Sequence, residues 1–437
     1  MRNYFFRRSR PCLALAAAIS LSQQAGAETW RGKELSLADT IKAAIAASPR
    51  LKSARFREEA LREEIRSQKS AYLPQLDVAV VASAGDPGSF AFLGVDNNFS
   101  ASQRLGEGAS LVLRQDLYDF GRTSSLVAVA EARQNAESKQ RGIYKAEVAR
   151  EVLRAYLDCS FLKAQVENAR FIARQTALIA RETGRFVRSG QRSIIERYLV
   201  DAELKESETR VAELGARATM TERRLAIEMG RPEAEAPSCE PLAAAESGIR
   251  DLERLHGPSP ILEAQEAKIR AAQSRLENAK AETRPTIVGM ATGGYWASER
   301  VPNDHMNYSL GVGITLPLFS GFRIESNIDR EAADLHAEEA LLAHSRLTLD
   351  TAGSRYDEDT SAIGVRLEFL KSEKALAKTA FDLARSRYLS FQGTMIDLRE
   401  TIRNMRRILD ATSVASRDLY VARGERALVV DGAQIAE

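Results

Sequence analysis

Tyr308-Ser309-Leu310-Gly311-Val312-Gly313-Ile314-Thr315-Leu316-Pro317-Leu318 alternates large apolar side chains with small or polar ones. Period 2 with two chemically different faces predicts a strand, at 308–318, in a sheet that separates two media. A weaker copy occupies 73–84, where Leu76, Val78, Val80 and Ala82 alternate with Gln75, Asp77 and Ser83. Residues 107–118 and 286–296 complete four strands of roughly ten residues, the length that spans a bilayer when tilted. An ordinary half-buried soluble sheet has the same period. Tyr295, Trp296 and Tyr308 near one strand end, together with what flanks the strands, favour the membrane.

Each strand pair leads into a very long helix. Residues 123 to about 187, and 324 to about 388, contain no proline and little glycine. Ile328, Leu335, Leu342, Leu349, Tyr356, Ile363, Leu370, Ala377 and Ala384 fall seven apart without a gap. Val129, Ala136, Ile143, Leu157, Ala164, Phe171 and Leu178 follow a heptad in the first half, broken at Arg150. A strict seven-residue repeat predicts a left-handed supercoil, and about 65 residues predict a rod of about 100 Å. A long soluble coiled coil shares that periodicity. Breaks at Gly190 and Gly393 fold each rod into an antiparallel hairpin, with returning helices at 194–229 and 395–428.

The two halves are copies of one plan. Ser48-Pro49 opens a charged helical stretch ending at Pro74, and Ser259-Pro260 opens another ending at Pro285, an offset of 211. Leu117-Tyr118-Asp119-Phe120-Gly121-Arg122 resembles Leu318-Phe319-Ser320-Gly321-Phe322-Arg323 at an offset of 201, as Ser193-Ile194-Ile195-Glu196 does Thr394-Met395-Ile396-Asp397. Ordered matches with a single length change indicate duplication. The expected organisation is a leader at 1–27, a first repeat at 28–230 with hairpin 122–229, a linker at 231–258 marked by Pro232 and Pro237, and a second repeat at 259–437 with hairpin 323–428.

Arg2, Arg7, Arg8 and Arg10 precede the apolar run Cys12–Leu21, and Ala25-Gly26-Ala27 supplies small residues for cleavage after Ala27. That is a secretory signal peptide, with a run too short to cross a bilayer. Its four arginines removed, 58 basic groups face 60 acidic ones. Nucleic-acid binding thereby loses its electrostatic driver. Cys12 precedes most of the apolar run, so it is not a lipid-modified first residue. Of the remaining cysteines, Cys159 lies mid-helix among apolar neighbours and reads as a buried free thiol, although one disulfide with Cys239 is arithmetically open. No later stretch is a transmembrane helix, so a membrane would be entered as strands.

Taken in order, the Ser-Pro openings, proline-started strands, Leu-Tyr-Asp-Phe-Gly-Arg exit and hairpin tips resemble the TolC family of outer-membrane channels over nearly the whole mature chain. The tips read Gly190-Gln191-Arg192-Ser193-Ile194-Ile195-Glu196 and Tyr388-Leu389-Ser390-Phe391-Gln392-Gly393-Thr394-Met395-Ile396-Asp397. The resemblance implies a mixed α and β membrane protein. Long antiparallel coiled-coil hairpins would form a periplasmic tunnel, and four strands per chain would join a homotrimeric twelve-stranded barrel. Four strands cannot close alone, and lipid forbids an open edge.

By the same resemblance, Asp397, Glu400, Tyr388 and Glu196 match the periplasmic gate. Gly190, Ser193, Gly393 and Thr394 match the tips that dock a periplasmic adaptor, which links the duct to an inner-membrane pump of ABC or RND type. Asp397 and Glu400 are three apart, on one helix face, where solvated charge is the plainer alternative. Gly393 stands where the best-known member has a latch arginine, and Phe391 replaces a tip glycine. Leu310, Val312 and Ile314 would face lipid.

No enzyme is indicated. The four histidines form no HExxH, and Asp119-Phe120-Gly121 lacks the companions of a kinase metal triplet and reads as a strand-to-helix turn. Asn98-Phe99-Ser100 is a sequon in an expected exposed loop. No cofactor or metal is expected. The sequence points to a passive export duct, leaning to type I protein secretion, with drug or metal efflux second and a coiled-coil envelope spacer or adhesin stalk as the reading from another class.

Overall fold

The computed structural model describes residues 34–84, 105–233, 236–298 and 301–433. The expected leader and the Asn98 sequon lie outside them. Elements run β1 (Glu34–Leu35), α1 (Leu37–Ala47), α2 (Pro49–Lys69), β2 (Gln75–Ala84), β3 (Leu105–Tyr118), α3 (Arg122–Arg188), α4 (Ile194–Glu228), β4 (Ser238–Cys239), α5 (Leu242–Glu253), α6 (Pro260–Ala281), β5 (Thr286–Ser298), β6 (Val301–Thr315), α7 (Arg323–Leu389) and α8 (Met395–Val429). The long helices have 67 residues each and the returning helices 35 each, so both halves carry one series of elements.

At the start of both α2 and α6, proline occupies the first turn, where its missing N–H costs nothing. The strand-to-helix exits reverse direction through left-handed backbone at Phe120-Gly121 and Gly321-Phe322. Asp119 takes the N–H groups of Gly121 and Thr123, so this triplet is a turn, as expected.

The sheet order is β2-β3-β5-β6, antiparallel throughout. Register places Val78 beside Leu111, Leu111 beside Gly293, and Gly293 beside Tyr308. One face therefore carries Leu76, Val78, Leu111, Leu113, Leu310, Val312 and Ile314, all exposed. Leu310 is 84% and Val312 68% accessible. The opposite face carries Gln75, Asp77, Ser110, Arg114, and Thr292 hydrogen-bonded to Ser309 at 2.6 Å. The last strand differs from the expected 308–318. It starts at Val301 and stops at Thr315, because Pro317 has no N–H for a ladder and Leu316 and Leu318 belong to the exit turn.

The α3 helix runs through both rows of helices. Its first part packs between α2 and α6, its later part against α4 and α8, while α7 packs on α6 and then on α8. Rows α2-α3-α6-α7 and α4-α3-α8-α7 therefore stack end to end. Each leaves α7 at one flank and α2 or α4 at the other. On α7 the expected stripe is buried at Leu349, Leu370 and Ala377. On α3 Val129 and Leu157 are buried as expected, and only farther on does the buried stripe pass to Gln165, Ile172 and Ile179, one residue after the expected Ala164, Phe171 and Leu178.

The rows meet at a belt holding the largest core: Leu35, Leu37, Ile41, Leu153, Tyr156, Ile249 and Leu428 among others. Here the expected linker proves structured. Its β4 pairs in parallel with β1, and α5 packs on α8. The buried free thiol is corrected as well. Cys159 is bonded to Cys239, with Cα atoms 6.2 Å apart, because the β1–β4 pairing lays the linker across the middle of α3. Lys163 donates to the Cys239 carbonyl at 2.5 Å, and the Tyr156 hydroxyl donates to the Leu35 carbonyl at 2.9 Å.

Candidate functional site at the hairpin tips

Both long helices end in the same way. Ser189 caps α3 and Gly190 turns left-handed at φ +71°, while Ser390 caps α7 and Phe391 takes the equivalent place at φ +61°. Such a backbone costs a side-chain-bearing residue about 1–2 kcal/mol. Phe391 offsets it by stacking edge-on against Phe186, ring centroids 4.8 Å apart. The returning helices start at hydroxyl caps: Ser193 accepts from Ile195 N at 3.2 Å, and Thr394 from Asp397 N at 3.1 Å.

Between the tips lies a second core, in which Ile179, Val200, Phe381, Met395, Leu398 and Ile402 surround a fully buried Tyr388. The Tyr388 hydroxyl donates to Glu196 Oε2 at 2.8 Å and lies 3.1 Å from Thr183 Oγ1. Burial pushes its pKa up to about 12, the Thr183 contact opposes this, and the Glu196 carboxylate adds to it.

Two of the four expected gate residues are thus brought together. Asp397 and Glu400 are not part of that contact. Both are exposed on α8, and Asp397 Oδ2 accepts from the Thr394 hydroxyl at 2.7 Å, so it also serves its own helix start. Gly190, Ser193, Gly393 and Thr394 all sit at the tips, with Ser193 and Thr394 exposed. Leu310, Val312 and Ile314 lie in the sheet at the far end of the rod.

Sequence reasoning passed over two features. Arg192 reaches from the first tip to the second, donating from Nη2 to the Tyr388 and Gly393 carbonyls at 2.9 and 3.0 Å. Its only signal was its place in the quoted tip. Farther up, Glu203 has no exposed side-chain surface and faces Arg399, Arg403 and Arg406 of α8. Spacings of four and three put those arginines on one face of α8. Beside them, the Arg406 hydrogen bond holds Glu206 below the usual carboxylate range, while burial raises Asp410 despite its pairing with Arg210. Among the described residues no group of acidic, histidine or cysteine side chains could hold a metal, and no helix is long and apolar enough to cross a membrane.

The architecture is shared with solved proteins. The outer membrane protein VceC of Vibrio cholerae superposes with a TM-score of 0.72 at 18% identity, over 91% of this chain and 97% of that one. Protein CyaE of Bordetella pertussis is 26% identical over 81% of this chain and 76% of its own length. The pyoverdine export outer membrane protein OpmQ of Pseudomonas aeruginosa is 29% identical over 33% of this chain and 31% of its own. The family model described as outer membrane efflux protein matches residues 40–229 and 252–422, which hold all four strands of the large sheet and nearly all of both hairpins. This chain belongs to the outer membrane efflux protein family.

Proposed function

We propose that three copies of this efflux protein form a passive duct through the outer membrane and periplasm, gated at the hairpin tips. The observation that carries this is the pair of unfilled flanks. Each row of helices ends in α7 on one side and α2 or α4 on the other, and the sheet ends in unpaired β2 and β6. Phe369, Leu376 and Leu383 form an exposed heptad stripe on α7, with Phe369 70% accessible. A head-to-tail ring covers that stripe and pairs every sheet edge, which lipid requires. The apolar sheet face would then meet lipid through Leu310, Val312 and Ile314, and the polar face the water-filled lumen.

The tips suit docking of a periplasmic adaptor that couples the duct to an inner-membrane pump. Ile195 and Ile396, at equivalent places in the two repeats, are both exposed beside Gly190, Ser193, Gly393 and Thr394. For cargo we favour type I protein secretion, since Cys12 is not placed for lipid attachment and the lipoprotein form is common among drug-efflux ducts. Small-molecule or metal efflux is the second reading, favoured by the similarity to a protein named for pyoverdine export. Detergent-extracted outer membranes should yield a trimer that conducts ions in planar bilayers. A stable, non-conducting monomer overturns the proposal and leaves the spacer reading.

A further inference from the structure

At the offset of 201 the tips pair Gln191 with Gln392, Ser193 with Thr394, Ile195 with Ile396 and Glu196 with Asp397. All four pairs keep their chemistry. Two others do not: Gly190 stands against Phe391, and Arg192 against Gly393. One contact accounts for both exceptions. The Arg192 guanidinium lies 4.5 Å from the Tyr388 ring centroid and 5.3 Å from that of Phe391. Its Nη2 forks to the carbonyls of Tyr388 and Gly393, and its Nη1 lies 3.7 Å from Glu196, which holds the Tyr388 hydroxyl. Only 13% of the arginine side chain is exposed.

We propose that Arg192 is the pin that holds the second tip against the first and sets how firmly the mouth rests closed, a role that presupposes the tips are the gate. The Tyr388 carbonyl suits a cation, because it lies in the last turn of α7, where the helix dipole is negative, and the Gly393 carbonyl completes the fork from the turn that follows. The planar guanidinium stacks on two rings while it forks, which an ammonium cannot do. In the second hairpin the equivalent place is Gly393, where a Cβ would lie 3.1 Å from Tyr388 N and 3.2 Å from the Arg387 carbonyl carbon, so a side chain there would have to push the end of α7 aside by a few tenths of an ångström. Arg192 is thus a positioning residue that acts on the main chain of the opposite tip, separately from the Tyr388–Glu196 bond.

The test is single-channel conductance of the full trimer in planar bilayers, with trimer melting measured alongside. Arg192→Ala should raise the resting conductance several-fold with little change in melting. Arg192→Lys should do nearly the same, and it keeps the test available should the alanine variant fail to assemble. If both assembled variants conduct like wild type while Tyr388→Phe raises conductance, the pin is overturned and the gate at the tips stands. If none of the three alters conductance, the tips do not gate the channel, and both readings fail.

Discussion

The Tyr388 hydroxyl and Glu196 Oε2, 2.8 Å apart, join the end of α7 to the start of α4 at the edge of the tip core. Removing that hydroxyl in Tyr388→Phe should cost about 0.5–1.5 kcal/mol, with up to about 3 kcal/mol if the Glu196 carboxylate does not find water. The pH dependence follows from the raised pKa. An unfolded tyrosine ionises near 10 and this one near 12, so its contribution is complete below about pH 10 and is lost as the pH rises toward 12. Conductance should therefore be insensitive to this group between pH 6 and 9 and rise in strong base. The Phe variant should lack that alkaline rise.

In the proposed trimer Asp397 and Glu400 would recur three times around the mouth, and they should then attract cations and let divalent ions block the pore from the tip side at low salt. Because Asp397 also serves the Thr394 cap, the clean variant is Asp397→Asn with Glu400→Gln, which keeps the shape of both side chains. Lower cation selectivity and loss of block are expected. Wild-type selectivity in that variant places these carboxylates away from the mouth.

On the sheet, cysteines at Leu310, Val312 or Ile314 should resist a water-soluble maleimide in membranes, while one at Ser309 should react. Arginine at Val312 should cost about 2–4 kcal/mol near the bilayer midplane. Labelling in the opposite pattern would reverse the two faces.

Replacing Cys159 and Cys239 together by serine should lower stability by about 2–4 kcal/mol, read from thermal or denaturant unfolding. In the native protein neither position should react with a thiol reagent before reduction.

Glu203→Ala should be strongly destabilising. It leaves Arg399, Arg403 and Arg406 crowded with no buried counter-charge, a loss of about 3–5 kcal/mol. Glu206→Ala, on the exposed side of the same cluster, should cost about 1 kcal/mol or less.

The boundaries of the four hairpin helices were legible almost to the residue, because heptads and tip glycines act locally, whereas α5 was hidden in the expected linker. The start of β6 was not legible either: Pro302-Asn303-Asp304-His305 shows no alternation, yet its backbone continues the ladder begun at Tyr308. The Cys159–Cys239 bond was hidden for another reason. Its partners are 80 residues apart, and only the β1–β4 pairing brings them together. Arg192 was equally opaque. Its partners are carbonyls of another hairpin, and main-chain acceptors leave no mark in a sequence.

That bond between the linker and the middle of α3 also dates the protein's maturation. Cytoplasmic thiols stay reduced, so the covalent tie between the two repeats cannot be made where the chain is synthesised. A copy that folds too early would have a belt without its crosslink, with the linker held by two residues of β ladder and the packing of α5. Oxidation beyond the inner membrane then works as a licence: it fixes the belt in the compartment where the long rods have room to stand and neighbouring copies are at hand.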